Sequence, residues 1–483
     1  MSPESLSPSR LAAFDRCPRR LWLMMNRPDA ALEERDAAGQ QANAQAVSAE
    51  AQRQAHDGVA IDPGTSRSAA LAMTQAAVAA SRTIIGARFV HEGVHAVIDI
   101  LEPERDGWRI IAVRSATKAK PDHLGPLATQ AWLAAANGLG VASVRVRHLN
   151  RDFTLSQSGD QAGLFADTDV TSSIASLMAL QGSRVAAAHA LLNGGEPAPV
   201  GGDHCHLPKS CRFVEHCQTS LPPGPHWPVT VLPRSAGKPF LRRGINDLTK
   251  IPAEHLRSEI DRRVHRATLT GRAEHDAVGA ATAMAAWNYP RIWLDFETVS
   301  EPLPAWPGCT PYEQVPFQFV ADIEAAEGII ARREFLLLDG EDPRRACAEA
   351  LAALPGDGAV IAWNARFERD VILRLARVFP DLAQALESLA VRVVDLLPVT
   401  RDHWYHRDQR GSWSLKAVLP TIAPHLDYAT LEVKDGGNAV EAYREAAHSG
   451  CSPQRRAAID SALRAYCGRD VEAMRVIAQR LVG

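Results

Sequence analysis

Apolar and polar positions follow two different periods along this chain, and the changes of period divide it. In residues 1–222, a stretch rich in Ala, three runs have the short apolar alternation of strands: "ARFVHEGVHAVIDILE" (87–102), "WRIIAVRS" (108–115) and "VASVRVRHLN" (141–150). The Pro- and Gly-dense stretch "SLPPGPHWPVTVLPRSAGKP" (220–239) then breaks the pattern. Residues 240–288 read as mostly helical, so 223–288 is predicted to be a linker and helical connector. From 289 to 483 the two periods interleave. Strands are predicted at 291–297, 315–323, 330–338, 358–363 and 391–395, and helices at 342–354, 366–379 and 457–481. The expectation is an α/β chain with one domain over 1–222 and a second over 289–483.

Length and composition add bounds. A chain of 483 residues is long for a single domain. The longest apolar candidates, such as "AVGAATAMAAW" (277–287), are too short to span a membrane. Arg and Asp interrupt every apolar stretch before Leu21, so no signal-peptide layout opens the chain, and a cytoplasmic protein without membrane contact is expected. A net charge of −3 gives no global attraction for polyanions, so any nucleic-acid surface must be local. Only seven basic residues are Lys. Arg suits phosphate recognition, although a GC-rich genome accounts for the same bias.

The pattern becomes chemical at "IWLDFETVS" (292–300), where Asp295 and Glu297 end an apolar run two residues apart. Residues two apart in a strand share a face, so both carboxylates point the same way. Like charges that close repel unless a cation lies between them. In "VIAWNARFERD" (360–370), Asn364 is a plausible helix N-cap before Phe367, Glu368 and Asp370. In "VRVVDLL" (391–397), Asp395 closes another apolar strand. Near the end, Leu463, Tyr466, Asp470, Met474, Ile477 and Leu481 form a helical stripe with a carboxylate inside it. That Asp470 either lies at a rim beside Arg469 or binds a metal.

Taken together, these fragments resemble the DEDD superfamily of 3′–5′ exonucleases on the ribonuclease H-like fold, over roughly residues 290–483. The first motif matches at Asp295 and Glu297, the second at Asn364, Phe367 and Glu368, and the third at Tyr466 and Asp470, which points to the tyrosine subclass. The resemblance implies two Mg²⁺ or Mn²⁺ ions about 4 Å apart. Asp295 would bridge them, Glu297 and Asp470 would hold the nucleophile-side ion, and Glu368 would support the other through water. Tyr466 would orient the attacking water. Glu368 stands where the family usually has Asp, which makes Asp370 its runner-up. The competing reading makes all these acids caps and ion-pair partners on an inert fold. Asn364 is expected beside substrate; Lys416, in "GSWSLKAVLP" (411–420), is either a helix-surface residue or a phosphate contact.

Of eight Cys, four (Cys309, Cys347, Cys451, Cys467) stand alone and read as small buried hydrophobes. The opening "LSPSRLAAFDRCPRRLWLM" (6–24) resembles the start of RecB-like nucleases of the PD-(D/E)XK class, in particular the CRISPR-associated RecB-like exonucleases. That resemblance implies a four-iron–four-sulfur cluster held by Cys17 with Cys205, Cys211 and Cys217 of "HCHLPKSCRFVEHC" (204–217). Zn²⁺ is the rival, with His204, His206 or His216 as further ligands. The nuclease motif itself is degenerate. Asp99 and Gln130 match, but Ala112 occupies the Glu position and Arg114 the Lys position, and Lys118 or Lys120 is the only nearby compensation. A methyl cannot ligate a metal, and Arg stays protonated.

The whole layout resembles bacterial fusion proteins that join a RecB-like half to a DEDD-type half. It implies a metal-dependent 3′–5′ exonuclease acting on DNA or RNA, with single-stranded ends as partners, and an inactive N-terminal half that binds or guides the strand. The alternative is a non-catalytic nucleic-acid-binding scaffold.

Overall fold

The computed structural model describes residues 5–32, 37–55, 57–206, 209–220, 224–326 and 328–483. The boundary at 222/223, and residues 207–208 of the downstream cysteine segment, fall outside them. The chain forms two compact units, Met1–Pro223 with Glu301–Tyr312, and Gly224–Ser300 with Glu313–Gly483. Both are α/β, each a mixed sheet flanked by helices. No helix among the described residues is long and apolar enough to cross a membrane.

The first unit has a six-stranded sheet in sequence order: β1 (Val59–Ala60), β2 (Ile84–His91), β3 (Val94–Glu104), β4 (Gly107–Arg114), β5 (Val141–Leu149) and β6 (Phe165–Asp169). The run 87–102 is a hairpin, not one strand. It turns at Glu92 and Gly93, both with positive φ (47° and 73°), as a two-residue hairpin turn requires. β4 and β5 are parallel, joined through the helix Pro121–Ala136, whose Leu127, Ala131 and Ala134 pack with Ile98, Ile110 and Ala112. A second apolar cluster gathers Val47 of the helix Ala37–Gln54 with Ile100, Ile111, Leu149 and Phe153, and Leu303 and Tyr312 pack against it. Residues 301–312 are tied in by Leu155 N donating to the Cys309 carbonyl (2.9 Å) and Gly308 N donating to the Leu155 carbonyl (2.7 Å).

In the second unit, β7 (Glu274–His275) pairs with β13 (Trp404–Tyr405). The main sheet runs β10 (Ile330–Leu336), β9 (Val315–Glu324), β8 (Arg291–Val299), β11 (Val360–Ala362), β12 (Val393–Asp395). The connector expected over 223–288 is part of this unit from Gly224 on. The physical reason is its helix Glu259–Thr270, an amphipathic element that buries Val264, His265, Ala267 and Thr268. On one face of the sheet Ile292, Leu294 and Phe296 of β8 meet residues of the helices Arg344–Ala352, Ala365–Val378 and Ala383–Val391. The helix Pro453–Val482 also packs on β8 and β9.

Candidate functional site

Alternation along β8 sends Ile292, Leu294 and Phe296 into the apolar core, so Asp295 and Glu297 face the opposite way. Helix Pro453–Val482 brings Asp470 to them. One carboxylate oxygen from each of Asp295, Glu297 and Asp470 lies within 4.8 Å of the other two. Glu297 and Asp470 are buried and Asp295 is half-buried. Burial, then the neighbouring carboxylates, pushes Asp295 and Glu297 well above the usual carboxylate range. Burial also raises Asp470, to about 6, against the opposing pull of the Tyr428 hydroxyl, the Lys416 ammonium and the Tyr466 hydroxyl. Among the described residues no Arg or Lys forms a salt bridge with any of the three.

Glu368 belongs to the same locale. It is 3% exposed, its Oε2 is buried without a hydrogen-bond partner, and burial followed by the Asp295 charge lifts it to about 9. Asp370, two positions on and about 200° around the helix, is exposed beside Arg366 at 3.8 Å. Asn364 precedes this helix with φ 72° and ψ 54°, and its side chain makes no cap hydrogen bond. Its backbone N–H instead donates to Asp395 Oδ1 (3.1 Å), which also accepts from Leu397 N (3.0 Å). Asp395 is thus a capping residue, and Asn364 is exposed.

Lys416 is half-buried, and its ammonium is near enough to the acids to pull on all three. Its Nζ donates to the Lys434 carbonyl (2.7 Å) and the Tyr466 hydroxyl (3.1 Å), and lies 4.9 Å from the Tyr466 ring centre and 5.1 Å from that of Tyr428. The Tyr428 hydroxyl donates to Asp470 Oδ1. Sequence reasoning missed Tyr428, whose surroundings in "HLDYATL" show neither period. Cys467 was missed as well. It is buried as expected of an isolated Cys, yet its thiol reaches Asp295 Oδ2 at 3.3 Å. Cys309 and Cys347 are buried, whereas Cys451 is half-buried, because it lies in the turn before the last helix.

The N-terminal motif residues lie together but are closed off chemically. Asp99 Oδ2 accepts from Val113 N (2.8 Å) and from Arg114 Nη1 (3.3 Å). Ala112 is fully buried among apolar residues. Gln130 Nε2 donates to the Val97 carbonyl (2.7 Å), and Lys118 and Lys120 are exposed. Cys17 sits between the helices Pro8–Arg16 and Pro18–Asn26, not inside one. The segment with the other three cysteines is held to the first of those helices by Arg16, whose Nε donates to the His204 carbonyl (2.9 Å) and whose Nη2 donates to the Lys209 carbonyl (2.5 Å). Burial raises the Cys217 thiol, and Cys211, Cys17 and Cys205 are near enough to add to that effect. His216 faces Glu196 at 3.5 Å. Around one tetrahedral zinc, thiolate sulfurs stand about 3.8 Å apart, given Zn–S near 2.3 Å. Four thiols with His204, His206 and His216 alongside are a donor set that suits either a zinc ion or an iron–sulfur cluster.

A family model described as a domain of unknown function, DUF2779, matches residues 292–414, a span that holds Asp295, Glu297 and Glu368 and stops short of Lys416 and Asp470. No curated protein and no solved structure matches the chain.

Proposed function

We propose that the C-terminal unit is a divalent-metal-dependent 3′–5′ exonuclease of the DEDD type on a ribonuclease H-like fold. The carrying observation is the trio Asp295, Glu297 and Asp470, brought from a strand and a helix to within 4.8 Å of one another, with no salt bridge to any of them among the described residues. Three crowded carboxylates ionise together only with a strong counter-charge. Hard oxygen donors suit Mg²⁺ or Mn²⁺, and the unpartnered Glu368 Oε2 is a fourth donor in waiting. Bound there, such ions supply the Lewis acidity for phosphodiester hydrolysis.

The remaining roles belong to the chain. Asp295, Glu297 and Asp470 would hold the ions, with Glu368 close enough to Asp295 to feel its charge as the further donor. Lys416 places a cation beside the acids, where it meets the scissile phosphate. The Tyr466 hydroxyl accepts from Lys416 and turns its own proton toward Asp470, which sets it at the edge of the cluster where the attacking water would be oriented. Tyr428 fixes Asp470 by donating to it.

In the same reading the N-terminal unit is a RecB-like PD-(D/E)XK domain that binds or guides single-stranded ends and no longer cuts. Arg114 takes up the Asp99 carboxylate that a metal would need, and the scaffold alternative holds for this unit on that ground. Cys17, Cys205, Cys211 and Cys217 would hold a four-iron–four-sulfur cluster that staples its two ends. The test is digestion of 5′-labelled single-stranded DNA and RNA with Mn²⁺ and with EDTA. A ladder shortening from the 3′ end, abolished by EDTA, is expected. Strand binding without cleavage of any single- or double-stranded DNA or RNA would transfer the scaffold reading to the whole chain.

A further inference from the structure

The N-terminal unit contains a cavity of about 290 Å³ between the β2–β3 hairpin and the first turns of the helix Arg67–Ala79. Thr65, Arg67, Leu71, Arg88, His95 and Val97 are among its walls, and none of the described residues that line it is acidic. Arg88 pairs with Val97 across the hairpin and Val90 with His95, so Arg88 and His95 project from one face. The hairpin is pinned to the helix by Arg88 N, which donates to the Thr74 hydroxyl (3.0 Å), itself buried. Ser66 caps the helix, accepting from Ala69 N (3.4 Å), so Arg67 stands at its positive end.

The charge here is unbalanced. Elsewhere on the same sheet Arg109, Arg114 and Arg147 each pair with a carboxylate. Arg67 and Arg88 meet none among the described residues, and the one polar side-chain contact of Arg67 is the Ser5 hydroxyl at 3.5 Å. His95, held below its ordinary range by burial and by Arg67, stays neutral and offers a donor and an acceptor without repelling the guanidinium groups.

We infer that this cavity binds a phosphate monoester carried on a nucleotide-sized group, with Arg67 and Arg88 gripping the phosphate and Leu71 and Val97 walling the remainder. Paired guanidinium forks match a phosphate dianion, and the volume is near the lower end of small-ligand pockets. The inference uses no metal and is independent of the exonuclease reading. A free nucleoside monophosphate and the phosphorylated end of a strand share this chemistry.

Titration calorimetry of the full chain in EDTA and moderate salt, with adenosine monophosphate, adenosine and inorganic phosphate, tests it. The monophosphate should bind about tenfold or more tighter than adenosine, and Arg67→Gln and Arg88→Gln should each weaken it about tenfold or more without lowering the melting temperature. Fluorescence anisotropy with 5′-phosphorylated and 5′-hydroxyl single strands separates the sources. A preference for the phosphate that both variants erase identifies a strand end; monophosphate binding with strands indifferent identifies a free nucleotide. Equal or absent binding of adenosine and its monophosphate, or unchanged monophosphate affinity in both variants, overturns the inference.

Discussion

Glu368→Gln should stabilise the metal-free protein at alkaline pH while impairing cleavage. The Glu368 carboxyl is 3% exposed and is raised from 4.5 to about 9 by burial and by Asp295. A folded-state value above the unfolded one means the stabilising contribution is complete below about 4.5 and is lost as pH rises through about 9. Within that window the loss is about 1.4 kcal/mol per pH unit, or roughly 2–3 kcal/mol between pH 6 and 8. Gln copies the shape of the neutral acid and does not titrate, so the variant escapes this loss. At pH 8 in EDTA it should exceed wild type by about 2–5 kcal/mol, which is roughly 5–15 °C in melting temperature for a unit of this size. Melting curves of both proteins at pH 6, 7 and 8 provide the measurement. Asp295, Glu297 and Asp470 titrate in both proteins, so the difference reports Glu368 together with its coupling to Asp295. Millimolar Mn²⁺ should narrow the gap by restoring a counter-charge in wild type. A variant less stable than wild type at pH 8 in EDTA, or two curves running parallel from pH 6 to 8, would refute the reasoning.

Asp295→Asn should cut 3′–5′ cleavage on the order of a thousandfold or more, yet keep strand binding in a gel-shift assay, since phosphate contacts come mainly from Arg and Lys. Tyr428→Phe removes a hydrogen bond that lowers Asp470, so the acid limb of the pH–rate profile should move upward; an unmoved limb would separate Tyr428 from the site. Cys211→Ser should abolish a brown absorbance near about 400 nm in anaerobically purified protein and lower its melting temperature; a colourless wild type carrying zinc would reject the cluster. Asp99→Ala should leave cleavage unchanged, whereas Arg114→Ala should destabilise the N-terminal unit by about 1 kcal/mol by leaving a half-buried carboxylate without its cation.

Whatever a local period carries is legible in the sequence. Alternation through "RIWLDFETV" by itself places both acids on one face, and the stripe from Leu463 to Leu481 marks Asp470 as an inward carboxylate. The choice between Glu368 and Asp370 is also periodic, since about 200° of helix separates them, but only the fold says which direction is inward. Lys416 and Tyr428 are illegible because their partners come from distant segments: Lys416 meets Tyr466 fifty positions away, and Tyr428 meets Asp470 forty-two away. The hairpin at Glu92–Gly93 hides inside an apolar run because a two-residue turn barely interrupts the alternation. Nothing in "EPLPAWPGCTPY" signals that it belongs with the first unit, because an irregular segment has no period to read.

That last segment bears on how the protein is made. A ribosome delivers the chain from the N-terminus, and domains generally fold as they emerge. The first unit is not complete when residue 223 appears, because Leu303 and Tyr312, which pack against one of its apolar clusters, and the Cys309 carbonyl, which accepts from Leu155 N, come later in the chain. It stays unfinished through the synthesis of residues 224–300, by which time the strand bearing Asp295 and Glu297 has already been made. The maturation of one half is thereby timed by the birth of the other, and a gene cut at the apparent linker would yield a nascent fragment missing its final seam.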